Sequence, residues 1–179
     1  MLFEIILIGI ALSMDAFAVT LSSSMVYPCL KGRKKLCMAV AFGIFQGIMP
    51  IIGFFLGNIF SDFINTYSGL VSFVILAAIG GNMIHDGIKG EDDEEEKQFC
   101  FKVLILLAIA TSIDAFAVGV SLAAQGAEIF TSASIIALTT FILTLIALKL
   151  GNFASEKLGD KSVILGGVVL ILIALKSLF

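Results

Sequence analysis

Two aspartates stand in the middle of apolar segments, and the two segments are copies of each other. The first segment, ALSMDAFAVTLS, covers residues 11–22 and contains Asp15, and the second, ATSIDAFAVGVS, covers residues 110–121 and contains Asp114. The copies agree at eight of twelve positions. A carboxylate at the centre of a bilayer costs about 2.5–3.5 kcal/mol on insertion scales, and such groups face the bundle interior and handle ions or protons. The repeated aspartates are therefore the first candidates for chemistry.

The helical neighbours of the aspartates support an inward orientation. At about 100° per residue, each aspartate shares its helix face with small residues and, about two turns away, with a serine, Ser22 in the first copy and Ser121 in the second. Two carboxylates that meet across an interface form a hard, oxygen-rich site, which suits Mg, Ca or Mn. We therefore predict that Asp15 and Asp114 bind a divalent metal.

Further polar side chains are secondary candidates for the metal site or the ion path. Ser13 and Ser112 precede each aspartate by two residues, and Gln46 lies deep in an apolar run close to Pro50. Gln46 is either a direct ligand or an interhelical hydrogen-bonding group. Met14 offers a thioether, but its counterpart is Ile113, so core packing is the favoured role. Asn82 is the last of these secondary candidates.

The composition is that of a membrane protein. Of the 179 residues, 59% are hydrophobic and 14% are charged, and the mean hydropathy is +1.11. A soluble domain is nearer half apolar and a quarter charged. No basic face exists outside one short loop, which argues against nucleic-acid binding. The three cysteines form no C-x-x-C pair, so we expect neither a disulfide framework nor a soft-metal site.

Six apolar stretches approach or reach the length of a membrane-spanning helix, which is roughly 20 residues for a core about 30 Å thick. The stretches cover residues 2–27, 36–60, 69–88, 100–125, 131–153 and 162–178. Lipid cannot satisfy isolated backbone polar groups, so these runs must be helices. We predict an all-α integral membrane protein, with the segment 61–68 as a loop between the second and third spans.

The basic residues predict the orientation of these spans. With the N-terminus outside, the inner loops hold ten of the eleven basic residues, and only Lys176 lies toward the outer side. The positive-inside rule therefore places both termini outside and the acidic stretch 89–99 in the cytoplasm. We expect Lys176 to extend outward to the membrane surface, with neutralisation of an aspartate as the weaker alternative.

The repeat extends beyond the aspartate segments. Leu56-Gly57-Asn58 reappears as Leu150-Gly151-Asn152, and Asn82 aligns with Lys176, both at an offset of 94. The chain thus divides into a three-helix repeat (1–88), a linker (89–99) and a second three-helix repeat (100–179). Three spans are an odd number, so the second repeat must be inverted, as in secondary transporters whose substrate site lies where the repeats meet.

The paired S-x-D-A-F-A-V segments resemble those of the small bacterial manganese efflux pump family (MntP type). The resemblance covers the whole chain in length, span count, both motifs and the two L-G-N triplets. It implies a six-span fold of two three-helix repeats, Mn²⁺ as the transported ion, and Asp15 and Asp114 as the core of the metal path. Chemistry and spacing alone specify only a hard divalent cation.

These features predict a secondary transporter and not an enzyme. No G-x-x-x-x-G-K-[S/T] segment exists that would indicate an ATP-driven engine. Two carboxylates in one desolvated site cannot both stay ionised cheaply, which suggests metal–proton antiport by alternating access. The hypothesis is Mn²⁺ export across the bacterial plasma membrane by a monomer or homodimer with no bound cofactor. The alternatives are a proton-coupled exporter of a small organic solute, such as an amino acid, and a non-transporting membrane assembly subunit.

Overall fold

The structure, a computed structural model, describes residues 2–26, 32–89, 101–158 and 161–176, and these are helical except for the turn at 125–128. The helices are α1 (Leu2–Val26), α2 (Gly32–Lys89), α3 (Phe101–Ala124), α4 (Ile129–Leu158) and α5 (Lys161–Lys176). Most of the predicted acidic linker, residues 90–99, lies outside the described residues.

The apolar helices are long enough to confirm a membrane protein. Four segments of the described chain have the length and hydropathy of a membrane span: Phe3–Met25, Gly32–Leu56, Lys102–Ala124 and Ile129–Ser155. Two shorter apolar segments, Leu70–His85 and Val163–Lys176, accompany them. All six coincide with apolar runs identified in the sequence.

Helix α2 differs from the prediction because it continues through residues 61–68, where a loop was expected. The only proline inside α2 is Pro50, so no residue in 61–68 removes a backbone donor. Polar residues marked this segment as a loop, yet serine, asparagine and threonine are compatible with a helical backbone.

The contacts of α2 show that it folds back on itself. Gln46 and Ser72 hydrogen bond to Ser112 and Ala110 of α3, which are only two positions apart. In a straight helix the 26-residue separation between Gln46 and Ser72 would span about 39 Å. The two arms of α2, residues 32–56 and 70–89, therefore pack beside the same part of α3.

A tight turn connects α3 to α4. Gly126 adopts the left-handed conformation, with φ of 64°, and the amides of Gly126 and Ala127 donate to the carbonyls of Ala123 and Leu122. This pattern is a Schellman motif, in which a glycine ends the helix without steric cost. Despite this short connection, α3 packs mainly on α2 and α4 packs mainly on α1.

The first arm of α2 approaches α3 with backbone against backbone. A Cβ atom at Gly119 would collide with the carbonyl of Pro50, and one at Gly53 would collide with the carbonyl of Phe116. Small residues permit this separation, which is how membrane helices gain packing energy when lipid provides no hydrophobic drive.

The second arm of α2 packs on α5 around Leu76 and Leu170, both buried. Gly80 and Gly167 face each other there, since a Cβ atom on either would crowd the carbonyl of the other. Leu76 and Leu170 are separated by 94 positions, the offset between the second parts of the two repeats.

Replacing Gly119 by alanine should destabilise the bundle, because the new methyl group meets the Pro50 backbone and not a movable side chain. Overpacking of this kind costs about 1–3 kcal/mol. We expect the Gly119→Ala protein in detergent to unfold at a lower temperature than the unmodified protein.

Gly81→Ala is the matched control, because a Cβ atom at Gly81 has no neighbour within 4 Å. Alanine is favoured over glycine in a helix by up to about 1 kcal/mol, so this variant should be as stable as the unmodified protein or more so. Equal losses in both variants would contradict the close approach at Gly119.

Candidate metal site

The two repeated aspartates lie at the middle of their helices and near each other. The candidate span Phe3–Met25 has its midpoint one residue before Asp15, and the span Lys102–Ala124 has its midpoint one residue before Asp114. The charges of the two carboxylates are close enough to repel each other. Asp15 is 28% exposed, whereas Asp114 is exposed at the surface of the described bundle. The inward orientation predicted for both aspartates is therefore wrong for Asp114, and metal binding by the pair stays a prediction.

A lysine joins the aspartates, contrary to the prediction that it extends to the outer surface. The Nζ atom of Lys176 lies 2.8 Å from Oδ1 of Asp15, and Lys176 also attracts Asp114. The physical reason is charge compensation, since a carboxylate in the middle of an apolar helix is costly without an opposite charge. The long side chain of Lys176 reaches Asp15 from the last described turn of α5.

A buried layer of hydrogen bonds lies behind the aspartates. Ser13 Oγ and Thr140 Oγ1 are 2.8 Å apart, and Ser112 Oγ donates to Gln46 Oε1 over 2.8 Å. Gln46 Nε2 also donates to the Leu12 carbonyl at 3.2 Å. The side chains of Ser13, Gln46, Ser112 and Thr140 are fully buried. We name these four residues the polar layer.

The two serine bonds of the polar layer are counterparts under the sequence repeat. Ser112 follows Ser13 by 99 positions, and Thr140 follows Gln46 by 94 positions, the same offsets that relate the two halves. Each half therefore supplies a serine on the aspartate helix and a polar partner on the next helix. The partner is an amide in one case and a hydroxyl in the other.

Gln46 acts as an interhelical link, since its amide joins α1 and α3 through Leu12 and Ser112. Its backbone carbonyl lacks the usual partner because Pro50, four residues later, has no N–H. Both ends of the side-chain amide are engaged in the structure. Of the two roles open for Gln46, the hydrogen-bonding one is present.

The remaining predicted residues lie apart from the aspartate pair. Ser22 is buried and donates to the Gly166 carbonyl of α5, while Ser121 is exposed and accepts a bond of 3.0 Å from Gln125. Met14 is 51% exposed, so it does not take the core position favoured for it. Asn82 is also exposed. Ser22 and Ser121 thus contribute to helix packing and to a helix end.

Sequence reasoning missed Thr140 and gave the Lys176 contact only as the weaker alternative. The repeat identifies both, because Thr140 is the counterpart of Gln46 and Lys176 is the counterpart of Asn82. The repeat also relates the buried residues Thr20 and Thr144 to Gly119 and Pro50. The hydroxyls of Thr20 and Thr144 have no hydrogen-bond partner among the described residues.

The donor set favours a hard cation with an incomplete shell of protein ligands. Within the described ranges, no three His, Cys, Asp or Glu side chains lie together. Two carboxylates supply two ligands, so hydroxyl, backbone or water oxygens must complete any coordination sphere. Hard divalent ions accept such oxygen ligands and retain water readily.

Comparison with known proteins gives one consistent result. A family profile described as "Putative manganese efflux pump" matches residues 29–178. A protein of Wolinella succinogenes named "Putative manganese efflux pump MntP 1" is 45% identical over 98% of this chain and 96% of its own length. Proteins named "Putative manganese efflux pump MntP" from Ruminiclostridium cellulolyticum and Methanobrevibacter smithii are 43% and 42% identical, covering 97% and 99% of this chain and 93% and 96% of their own lengths. No solved structure matches the chain.

Removing the hydroxyl of Ser112 should destabilise the protein, because Gln46 Oε1 is then left buried without its donor. An unsatisfied buried acceptor costs about 1–3 kcal/mol. Thermal unfolding of Ser112→Ala in detergent should show this loss. Ser121→Ala is the control, since Ser121 is exposed and such changes stay within about 0.5 kcal/mol. Indistinguishable thermal midpoints for the two variants would argue against a stabilising polar layer.

Proposed function

The chain belongs to the manganese efflux pump family, and on that premise we propose that it exports Mn²⁺ from the cytoplasm as a secondary transporter. The observation that carries the proposal is the placement of Asp15 and Asp114 at the middle of their candidate spans, where their charges interact with each other. Carboxylates at that depth are characteristic of ion pathways. The names of the relatives supply the metal, and the hard oxygen donors agree with it.

The proposed architecture is six spans in two inverted three-helix repeats. The contacts support it. Along α1, Ser13 contacts Thr140 of α4 and the later residue Ser24 lies at Gly151 of α4, so the two helices run in the same direction. Helix α4 in turn runs antiparallel to the first arm of α2, since Gly43 contacts Phe141 whereas Gly47 contacts Ala133. With the fold-back of α2, this pattern gives each repeat three crossing segments.

The proposed topology places both termini outside and residues 89–99 in the cytoplasm. One contact supports a common membrane face for two of the basic segments. Lys35 at the start of α2 and Lys149 near the end of α4 line the same cavity. Clustering of basic residues from separate helices at one face agrees with the positive-inside rule.

In the proposed mechanism, the metal replaces Lys176 at Asp15. The lysine ammonium compensates the Asp15 carboxylate at 2.8 Å, so an entering cation has to displace it before both carboxylates are available. A divalent ion then binds between Asp15 and Asp114, and its oxygen shell is completed by water or nearby protein oxygens. When the ion leaves, the lysine returns to the carboxylate.

Export also needs an energy source. Moving a doubly charged ion out of a negative interior costs about 4.6 kcal/mol per 100 mV. We propose that protons moving inward offset this cost, with metal and proton alternating at the aspartate pair while the two repeats rock about it. Pro50 packs closely on Gly119, whereas the corresponding positions of the other repeat are Thr144 and Thr20. This difference allows the two interfaces to differ between the inward-open and outward-open conformations.

Amide substitutions at the aspartates test the transport site. In proteoliposomes, Asp15→Asn and Asp114→Asn should each lower Mn²⁺ flux at least about tenfold, because the loss of one of two anionic ligands removes more than 1.4 kcal/mol of attraction. Glu128→Gln makes the same chemical change at an exposed carboxylate in the turn before α4 and should leave the flux unchanged.

The same vesicles test proton coupling. A proton gradient directed against the Mn²⁺ movement should accelerate it, and dissipating the gradient should slow it. A Mn²⁺ flux that is unchanged by the proton gradient and by the aspartate substitutions would refute the proposed pump. Flux of amino acids in place of Mn²⁺ would support the organic-solute exporter instead.

Substitution of Lys176 tests whether its ammonium group competes with the metal ion for the Asp15 carboxylate. Lys176→Gln should raise the affinity for Mn²⁺ about tenfold, because the entering ion no longer displaces a charge-assisted hydrogen bond worth about 1.5–3 kcal/mol. Equilibrium dialysis of the solubilised protein measures the affinity. Lys102→Gln, at an exposed lysine of α3, should bind as the unmodified protein does. An unchanged or weaker affinity of Lys176→Gln would contradict this role.

A further inference from the structure

A cavity lined by neither aspartate combines an apolar wall with two lysines. It has a volume of about 340 Å³ and lies between the beginning of α2 and the second half of α4. Four aliphatic residues of α4 line it, together with Lys35, Lys149 and Asn152. None of these residues takes part in the aspartate pair or the polar layer.

The aliphatic side of the cavity lies on a membrane-spanning helix. Ile142 and Ile146, one helical turn apart, are 47% and 44% exposed, and both belong to the candidate span Ile129–Ser155. Residues four apart share one face of a helix, so their side chains form a continuous apolar strip. Such a strip at membrane depth matches a lipid acyl chain.

The polar side of the cavity lies toward the end of the same span. Lys149 and Asn152 follow Ile146 by one and two turns, which places them about 5–9 Å further along the helix axis. Lys35 reaches the same place from the first turn of α2, where Arg33 and Lys34 are also exposed. Free backbone amides at a helix start add positive potential. The cavity therefore changes from apolar to cationic over the depth of one lipid leaflet.

Asn152 gives a third observation. Its Oδ1 atom is buried and has no hydrogen-bond partner among the described residues. A buried amide oxygen without a donor is destabilising, and the lysines of the cavity are attracted to anions. A ligand that carries both a hydrogen-bond donor and a negative charge would satisfy the oxygen and the lysines together.

We propose that this cavity binds one phosphatidylglycerol-type anionic phospholipid of the inner leaflet. The phosphate lies between Lys35 and Lys149, a glycerol hydroxyl of the headgroup donates to Asn152 Oδ1, and one acyl chain covers Ile142 and Ile146. Basic pockets between membrane helices on the cytoplasmic side are suited to anionic headgroups. Phosphatidylcholine lacks both the net charge and the donor, and phosphatidylethanolamine has a donor but no net charge.

Native mass spectrometry of the delipidated full-length protein in detergent tests the proposal. Phosphatidylglycerol and phosphatidylcholine with identical acyl chains are titrated separately. Each lysine near an anionic lipid contributes about fivefold in affinity, so Lys35→Gln and Lys149→Gln should each weaken phosphatidylglycerol binding about fivefold and leave phosphatidylcholine unchanged. The control Lys102→Gln changes an exposed lysine outside the cavity and should have no effect.

Asn152→Leu separates the headgroup hydroxyl from the phosphate. This variant should lose the preference for phosphatidylglycerol over phosphatidic acid with the same chains, while its affinity for phosphatidic acid stays the same. Its elution profile in size-exclusion chromatography reports on folding, and the lysine variants test the site independently if Asn152→Leu does not fold.

Three results would overturn the proposal. Equal binding of phosphatidylglycerol and phosphatidylcholine would show non-selective lipid contact. An equal loss in Lys102→Gln and Lys35→Gln would show general attraction to positive charge. Displacement of the lipid by an equal concentration of soluble glycerol phosphate would show a phosphate site that makes no use of the acyl chain. Because the aspartates are unchanged in every variant, each outcome is independent of Mn²⁺ transport.

Discussion

A carboxylate held in the middle of a lipid bilayer needs a compensating charge, and this chain holds two. Asp15 and Asp114 occupy the centres of their candidate spans, where an isolated carboxylate is costly. Lys176 compensates Asp15 through an ion pair of 2.8 Å. Asp114 has no equivalent lysine, since the counterpart of Lys176 is Asn82. A divalent cation is suited to this arrangement because its charge balances both carboxylates at once.

The two halves of the protein use the same design with different side chains. Behind each aspartate a buried serine is bonded to a helix of the other half, Ser13 to Thr140 and Ser112 to Gln46. Where Gly119 lets α3 touch the Pro50 backbone, the other half has buried threonines. An amide bridges two helices, whereas the Thr140 hydroxyl also bonds to its own helix. The corresponding contacts of the two halves are therefore unequal, which is compatible with the proposed alternation between two conformations.

Much of the architecture could be predicted because bilayer physics leaves few options for apolar segments. The helical class and the membrane location follow from hydropathy. Residues 61–68 are helical and not a loop, because polar residues are compatible with a helical backbone, yet the chain does reverse direction between the two arms of α2 as the predicted loop implied. The Lys176 contact was the weaker alternative because the position of a residue along a helix does not determine which side chains it reaches. Thr140 differs in residue type from its counterpart Gln46, so only the offset of 94 positions identifies it as a member of the polar layer.

The ion pair between Lys176 and Asp15 joins residues 161 positions apart in the chain, which has a consequence for biosynthesis. Asp15 is synthesised before Lys176, since translation proceeds from the N-terminal side. Until Lys176 has been added and α5 has packed, the Asp15 carboxylate lacks the cation that compensates it in the described bundle. Folding around Asp15 therefore depends on a contact that forms late in synthesis.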